Sequence, residues 1–387
     1  MAACAHSPNA SPSPAPAAPA APPASARSSP PAASASSYPE ISPRAARVYR
    51  EAFVIDMHDD MPSKILDERY DPDVRHPAGF GQGEGNTDLP RLLESGVTAE
   101  FMSAFVDASY AAKRPDESYA RALLYLDTIA AFARRHPNNL ILATRAADVR
   151  RAKAEGRVAI FIGVEGGHAI ENSLDRLRDL YRRGARYMTL TWNNGNDWAG
   201  SSMGQGGTSR GGLTPFGRQV VREMNRLGML VDLSHVSDST FFDALEVSTA
   251  PVIASHSSAR AINDHPRNLS DEQLRAIARN GGVVNVNFFS RFLDPKFDEA
   301  AEHGGKTPQT PLSVLIDHID HIAKVAGVDH VGLGSDFDGV SALPQGMEDI
   351  TRLPRVAQAL LDRGYSDDDV RKILGGNMLR VIDQVVR

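Results

Sequence analysis

Six ionisable side chains stand where the chain could assemble a metal centre from them. His58 and Asp60 follow the apolar run Phe53–Met57, and Glu165 follows Val158–Val164. His235 and His256 follow Leu230–Leu233 and Val252–Ser255, and Asp336 follows Val331–Gly334. Runs rich in Val, Ile, Phe and Met, bounded by Gly, Asp, Asn and Ser, read as strands. One histidine at a strand terminus is as often a satisfied core residue as a ligand. Three imidazoles and three carboxylates, all at strand termini, are costly to bury together unless a cation neutralises them. Imidazole with carboxylate suits zinc, and also manganese or cobalt. The one cysteine, Cys4, supplies neither a thiolate cluster nor an intrachain disulfide. Two ions fit this many donors better than one. Alternation along a strand puts His58 and Asp60 on one face, within reach of a single ion. Glu165, alone on another strand, is the natural bridge.

Three further runs, Ala99–Val106, Tyr187–Thr191 and Val283–Asn287, bring the strand count to about eight. Segments with helical spacing lie between several of them: Pro115–Arg135, Leu174–Arg183, Pro215–Leu227, Asp271–Asn280 and Pro311–Ala326. Strand–helix alternation implies a parallel sheet, and about eight units imply an α/β fold closed as a (β/α)8 TIM-like barrel. Its binuclear metal site would lie at the C-terminal ends of the strands. An open doubly wound sheet is the alternative. That fold wants a glycine-rich phosphate loop after the first strand, where His58-Asp59-Asp60 stands instead. Asp59 is expected to point away from the barrel axis, and His318 and His321 to be solvated on an outer helix. His168, after the Gly166-Gly167 turn, is a candidate to orient Glu165 or a ligand. Asp338 is expected to brace the final loop, and Gly204–Gly212 to form a pocket rim.

Composition sets the limits around this site. Residues 1–45 are almost entirely Ala, Pro and Ser, a tail or tether expected to be disordered, and residues 46–387 are one barrel domain. The hydrophobic fraction is 42%, enough for a core, and the net charge of −6 without a Lys/Arg run excludes phosphate-driven nucleic-acid binding. No stretch is apolar for long enough to span a bilayer. Met1-Ala2-Ala3-Cys4 resembles the end of a lipoprotein signal, but the charged and apolar regions that precede such an end are missing. Two readings stand. The protein is periplasmic or membrane-anchored through a lipidated Cys4, or it is cytoplasmic and Cys4 is incidental.

From Phe53 to the C-terminus the chain resembles the membrane dipeptidase (renal dipeptidase) family of zinc peptidases. The segments that carry the likeness are Val54-Ile55-Asp56-Met57-His58-Asp59-Asp60-Met61-Pro62 and Gly163-Val164-Glu165-Gly166-Gly167-His168. Further on stand Glu223-Met224-Asn225-Arg226-Leu227-Gly228, Asp232-Leu233-Ser234-His235-Val236-Ser237, Ser255-His256-Ser257-Ser258 and Gly334-Ser335-Asp336-Phe337-Asp338-Gly339. The resemblance implies two Zn2+ ions, one on His58 and Asp60, one on His235 and His256, with Glu165 between them. It implies that Arg267 takes the substrate carboxylate, that Asp336 handles protons, and that the protein is a homodimer. The implied activity is hydrolysis of dipeptides, with an L- or D-residue at the C-terminal position, by a metal-bridging hydroxide. One position departs from the pattern. Where the family has a histidine, this chain has Trp192, which can donate one hydrogen bond but carries no charge. Loss of an oxyanion donor costs ~10²–10³ in turnover, and Asn193, Asn194 or Asn196 is a candidate replacement. Trp192 leaves two alternatives open: a metal-dependent deacylase or lactam hydrolase, and a weakened relative that binds peptides.

Overall fold

Nine parallel strands carry the architecture in a computed structural model that describes residues 40–111, 116–204 and 211–387. They are β1 (Ile55–Asp59), β2 (Ala99–Phe105), β3 (Leu140–Leu142), β4 (Val158–Glu165), β5 (Ala185–Thr189), β6 (Leu230–Asp232), β7 (Ile253–Ala254), β8 (Val283–Val286) and β9 (Val331–Leu333). Pairing runs β2-β1-β9-β8-β7-β6-β5-β4, and a direct β2–β4 ladder closes the circle into an eight-stranded TIM-like barrel. Cys4 and residues 1–39 of the expected tail lie outside the described residues, as do residues 205–210 of the expected glycine-rich rim. Among the described residues no helix is long and apolar enough to cross a membrane.

All eight barrel strands fall on the predicted runs, shifted by a residue or two. The ninth, β3, was not expected. It pairs only with the first half of β4, Leu140 opposite Val158 to Leu142 opposite Ile160, before β5 takes over that edge at Ile162. Three residues are too few to show a period. Shorter helices also escaped the sequence pattern, among them Pro43–Glu51, capped by Ser42, and Met61–Asp67, which begins directly after Asp60.

Two apolar clusters set the polar end apart from the rest. One fills the layer between sheet and helices, with Met102, Ile160, Val231 and Phe241. The other lies inside the barrel. There Ile55, Ala99, Ala159, Leu230, Ile253 and Val283, at the starts of their strands, pack with Met378, Ile382 and Val385 of the last helix, Asn377–Val385. That helix therefore covers the N-terminal end of the barrel. Above this floor Phe101 stacks on Phe161 with ring centres 4.5 Å apart, and on Tyr187 at 5.7 Å. The C-terminal mouth is left to the ionisable residues.

Strand alternation does not account for the first two of them. A bulge in β1 sets Asp56 opposite Glu100 but Asp59 opposite Met102, three steps against two. Asp59 thus faces outward, as expected, where it accepts from Thr87 Oγ1 (2.5 Å) and Met61 N (2.7 Å). His58 is swung into the barrel. Asp60 lies beyond the strand, at the N-cap position of the following helix, and its N–H donates to Phe337 O at 2.8 Å.

Candidate metal centre

Three imidazoles share one orientation, and their partners explain it. His58 Nδ1 is 2.8 Å from Tyr187 Oη, His235 Nδ1 is 3.1 Å from Asn193 Oδ1, and His256 Nδ1 is 2.8 Å from Ser255 Oγ. Ser255 spends its own proton on Asp232 Oδ2 at 2.6 Å, so its oxygen accepts from His256 Nδ1–H. An amide oxygen accepts from His235 in the same way. A neutral imidazole has one N–H. With that proton on Nδ1, His235 and His256 turn their Nε2 lone pairs toward Glu165, and His58 turns its Nε2 toward the same carboxylate.

The two oxygens of Glu165 divide the histidines between them. Oε2 lies 3.3 Å from His58 Nε2, while Oε1 lies 2.9 Å from His235 Nε2 and 3.6 Å from His256 Nε2. Asp60 Oδ2 is 3.3 Å from His58 Nε2, and Ser103 Oγ donates to Glu165 Oε2 at 3.3 Å. His58, Glu165 and His256 form one group whose donor atoms lie within metal-binding reach of one another, and His58, Asp60 and Asp336 form a second. All of these residues are buried.

The donor chemistry fits divalent cations. His235 Nε2 and His256 Nε2 face each other at 2.8 Å, and each ring has its proton on the opposite nitrogen. Two lone pairs at that separation repel unless a positive charge lies beside them. His58 Nε2 and Asp60 Oδ1 are buried with no hydrogen-bond partner among the described residues, and such orphaned atoms are costly. Burial, helped by Arg267, pushes His235 down to about 3, and burial with the neighbouring His58 holds His256 well below the ordinary histidine range. Burial works against ionised Glu165, but His58 and His235 outweigh it and hold the carboxyl well below its usual value. Neutral His235 and His256 and ionised Glu165 are the forms that bind metal. Burial works against a charged His58, but Tyr187, Glu165 and Asp60 outweigh it and push that imidazole well above its ordinary range, so a cation there would displace its proton. Each candidate ligand histidine also has a fixed partner behind it, the arrangement that orients ligands in metal sites.

Two further charged residues border the cluster. Asp336 N–H donates to His58 O at 3.0 Å, and its Oδ2 accepts from Asn287 Nδ2 at 2.8 Å. Burial, with Asp60 and Glu165 adding to it, pushes Asp336 up to about 7. Gly339 lies so close that a Cβ there would stand 2.2 Å from Asp60 Oδ2 and 2.5 Å from Asp336 Oδ1, so any larger residue would push both carboxylates aside. Arg267 is buried and makes no ion pair among the described residues. One Nη2 contact reaches His256 O at 3.3 Å, the guanidinium lies 5.3 Å from the Phe292 ring centre, and Nε has no partner. Burial lowers its pKa to about 10. A buried, unpaired guanidinium is a ready receptor for a carboxylate.

The other sequence candidates land in varied places. Trp192 is half-buried, edge-on to Phe105 at 4.9 Å and tilted over His235 at 6.4 Å. Asn193 stands behind His235, as described. Asn194 donates to Gly195 O, and Asn196 braces its own loop through Leu190, Trp198 and Ala199. His168 reaches Val106 O at 2.9 Å and makes no hydrogen bond to Glu165. Asp338 braces the Asn86–Thr87 backbone, accepting both N–H groups at 2.8 and 3.0 Å. His318 is not solvated. It is buried, accepts from Ala259 N at 3.0 Å and donates to Leu293 O at 2.9 Å, tying the loop after His256 to helix Leu312–Ala326. Tyr187, Ser255 and Asn287 had drawn no functional notice. They are ordinary residue types in apolar or polar runs, and only the folded arrangement puts Tyr187 and Ser255 behind His58 and His256, and Asn287 behind Asp336.

The comparisons with known proteins agree with this geometry. Residues 42–387 match the profile of the membrane dipeptidase family, peptidase family M19. The dipeptidase AC, a metallopeptidase of that family, is 30% identical over 86% of this chain and 98% of its own, with a TM-score of 0.75. A metallopeptidase from Rhodobacter sphaeroides, solved with a phosphinate mimic of the dipeptide L-Ala-D-Ala, is 29% identical over 86% and 99%, with a TM-score of 0.74. The probable dipeptidase PvdM from Pseudomonas aeruginosa is 25% identical over 88% and 97%, with a TM-score of 0.75. The chain belongs to the membrane dipeptidase family of metallopeptidases.

Proposed function

We propose that this protein hydrolyses the amide bond of dipeptides with two divalent cations, zinc by the chemistry of the donors. His58 and Asp60 would hold one, His235 and His256 the other, with Glu165 as a shared ligand. Such ions supply Lewis acidity and a water nucleophile activated near neutral pH. The protein's own residues do the rest. Arg267 pairs with the terminal carboxylate, which fixes the substrate and restricts it to short peptides. Asp336, poised near neutral pH, takes up a proton and returns it to the departing amine. Asn287 holds the carboxyl in place for that exchange.

The observation that carries this reading is the convergence of three Nε2 nitrogens on the two oxygens of Glu165. The test is elemental analysis of the purified protein together with amino-acid release from L,L and L,D dipeptides. The L,D series belongs in the panel because a relative was solved with a mimic of L-Ala-D-Ala. Metal-loaded protein that releases nothing from any dipeptide overturns the reading. A second reading, deacylation of N-acyl amino acids, draws on the uncharged Phe105–Trp192 flank. It predicts cleavage of N-acyl amino acids in preference to free dipeptides. An inactive native protein that gains strongly from Trp192→His would instead point to a weakened relative.

A further inference from the structure

The rim of the metal centre is unequal around the barrel. In the closed order β1, β2, β4, β5, β6, β7, β8, β9, Arg267 follows β7, Asn287 follows β8 and Asp336 follows β9. The arc from β2 to β5 carries two aromatic side chains instead. Phe105 is the last residue of β2 and pairs in register with Glu165. It faces inward, on the same side as Ser103, whose hydroxyl reaches Glu165. Trp192 stands three residues past the end of β5 and leans over His235. Their rings meet edge to face at 4.9 Å, and both remain partly open. Trp198, by contrast, is only 1% exposed and packs on Phe216 within the core. Aromatic rings left partly open beside buried charge offer a wall to an apolar group.

Arg267 decides which part of a substrate meets that wall. It lies about three strands of the eight away from β4, the middle of the aromatic arc, and so on the far side of Glu165. A dipeptide with its carboxylate on Arg267 and its amide over Glu165 extends its amino-terminal residue toward Phe105 and Trp192. We propose that Phe105 and Trp192 form the subsite for that residue's side chain, and that they select dipeptides with an aromatic or branched aliphatic residue at the amino-terminal position. This inference rests on the dipeptide reading above.

The test uses metal-loaded full-length protein and two series, Xaa-Ala and Ala-Xaa, with Xaa Gly, Ala, Leu and Phe. The expected kcat/KM rises about 10–100-fold from Gly to Phe in the first series and less than about threefold in the second. Trp192→Ala and Phe105→Ala flatten the first series, while Trp192→Phe keeps most of it. Binding gives an independent readout, because the chain has only two tryptophans. A phosphinate mimic of Phe-Ala shifts the tryptophan emission of the native protein, and Trp192→Phe, which retains an aromatic ring for folding, removes the shift. A flat first series in an active native enzyme, a preference confined to the second series, or saturating phosphinate without an emission change overturns the subsite and leaves dipeptide hydrolysis standing. Metal-loaded protein that neither cleaves any dipeptide nor binds the phosphinate overturns both.

Discussion

Tyr187→Phe removes one oxygen from beneath the candidate metal centre and changes nothing on the rim. The hydroxyl is fully buried and lies 2.8 Å from His58 Nδ1. Among the described residues it is the one acceptor beside that nitrogen when Nε2, 3.3 Å from both Asp60 and Glu165, takes a metal in place of a proton. Without it a metal-bound His58 would leave its Nδ1–H buried and unpaired, and the ring would lose the contact that orients Nε2. Partners of this kind are worth about 10–100-fold in metal affinity, or about 1.4–2.8 kcal/mol. The effect is read by competition with a chromophoric chelator and by melting with and without zinc. At a free metal concentration 1,000 times the native Kd, the metal stabilises the native fold by about 4.1 kcal/mol per site. A 100-fold weaker site leaves about 1.4 kcal/mol of that. One site should weaken this far and the other much less. Unchanged affinity at both sites, with an unchanged zinc-dependent rise in melting temperature, would show that His58 does not bind through Nε2.

Gly163→Ala should reproduce that loss from the opposite side of the ring. A Cβ there would stand 2.0 Å from Tyr187 Cζ, so the phenol must shift off His58, and overpacking adds a stability loss of about 1–3 kcal/mol. Calorimetric metal titration checks the first effect and melting the second; full metal affinity in a folded variant contradicts the packing argument. Arg267→Ala should lower kcat/KM for dipeptides by about 10–100-fold, mainly through KM. Dipeptide amides, which lack the terminal carboxylate, should respond equally little in both proteins, and an equal loss on amides would remove Arg267 from that role. Glu223→Gln gives a pH-dependent stability change far from the rim. Hydrogen bonds from Arg226, opposed by burial and joined by Arg178, hold Glu223 down at about 2. A depressed carboxyl contributes stability above its unfolded pKa and loses it as pH falls through the folded value. The native protein should therefore exceed the variant by about 1–2 kcal/mol at neutral pH, allowing for the solvent-exposed arginines. In urea titrations that gap should close as the pH falls from about 4.5 to about 2; a gap independent of pH refutes the assignment.

The barrel was legible because each of its eight strands is a short run of Val, Ile, Phe and Met between breakers, and several of the intervening helices carry clear signals. Asp271–Asn280 has a Ser270/Gln273 capping box, and Pro215–Leu227 ends on Gly228 in the left-handed conformation. The convergence of His58, Asp60, Glu165, His235, His256 and Asp336 on one mouth was legible for the same reason, since strand ends share an end of the barrel. Strand β3 was lost because three residues carry no periodicity. The supporting partners were lost because a tyrosine or serine behind a ligand has no local signature. His318 was misjudged because helical spacing says that a residue lies on a helix, and the loop that covers that helix comes from elsewhere in the chain.

The three histidines share a more general feature: each is out of phase with the inward face of its strand. On β1 the inward residue before His58 is Met57, and the bulge turns the next residue inward as well. On β6 Leu230 and Asp232 face the interior, so regular alternation would turn His235 outward. Its backbone instead takes φ +68°, in the left-handed region, at a cost of about 1 kcal/mol. On β7 Ile253 and Ser255 face inward, and His256 comes directly after them. The inward phase beneath is filled by a hydrogen-bonded layer: Thr189 and Ser255 donate to Asp232, and Ser234 Oγ accepts from His256 N at 3.0 Å. The imidazoles therefore rest on a polar shelf one step above the barrel interior, and the backbone distortions that raise them there oppose folding. So do the facing lone pairs of His235 and His256. Cations held only by the folded arrangement would offset both terms, and loading the site with metal should therefore stabilise this mouth more than the apolar floor under it.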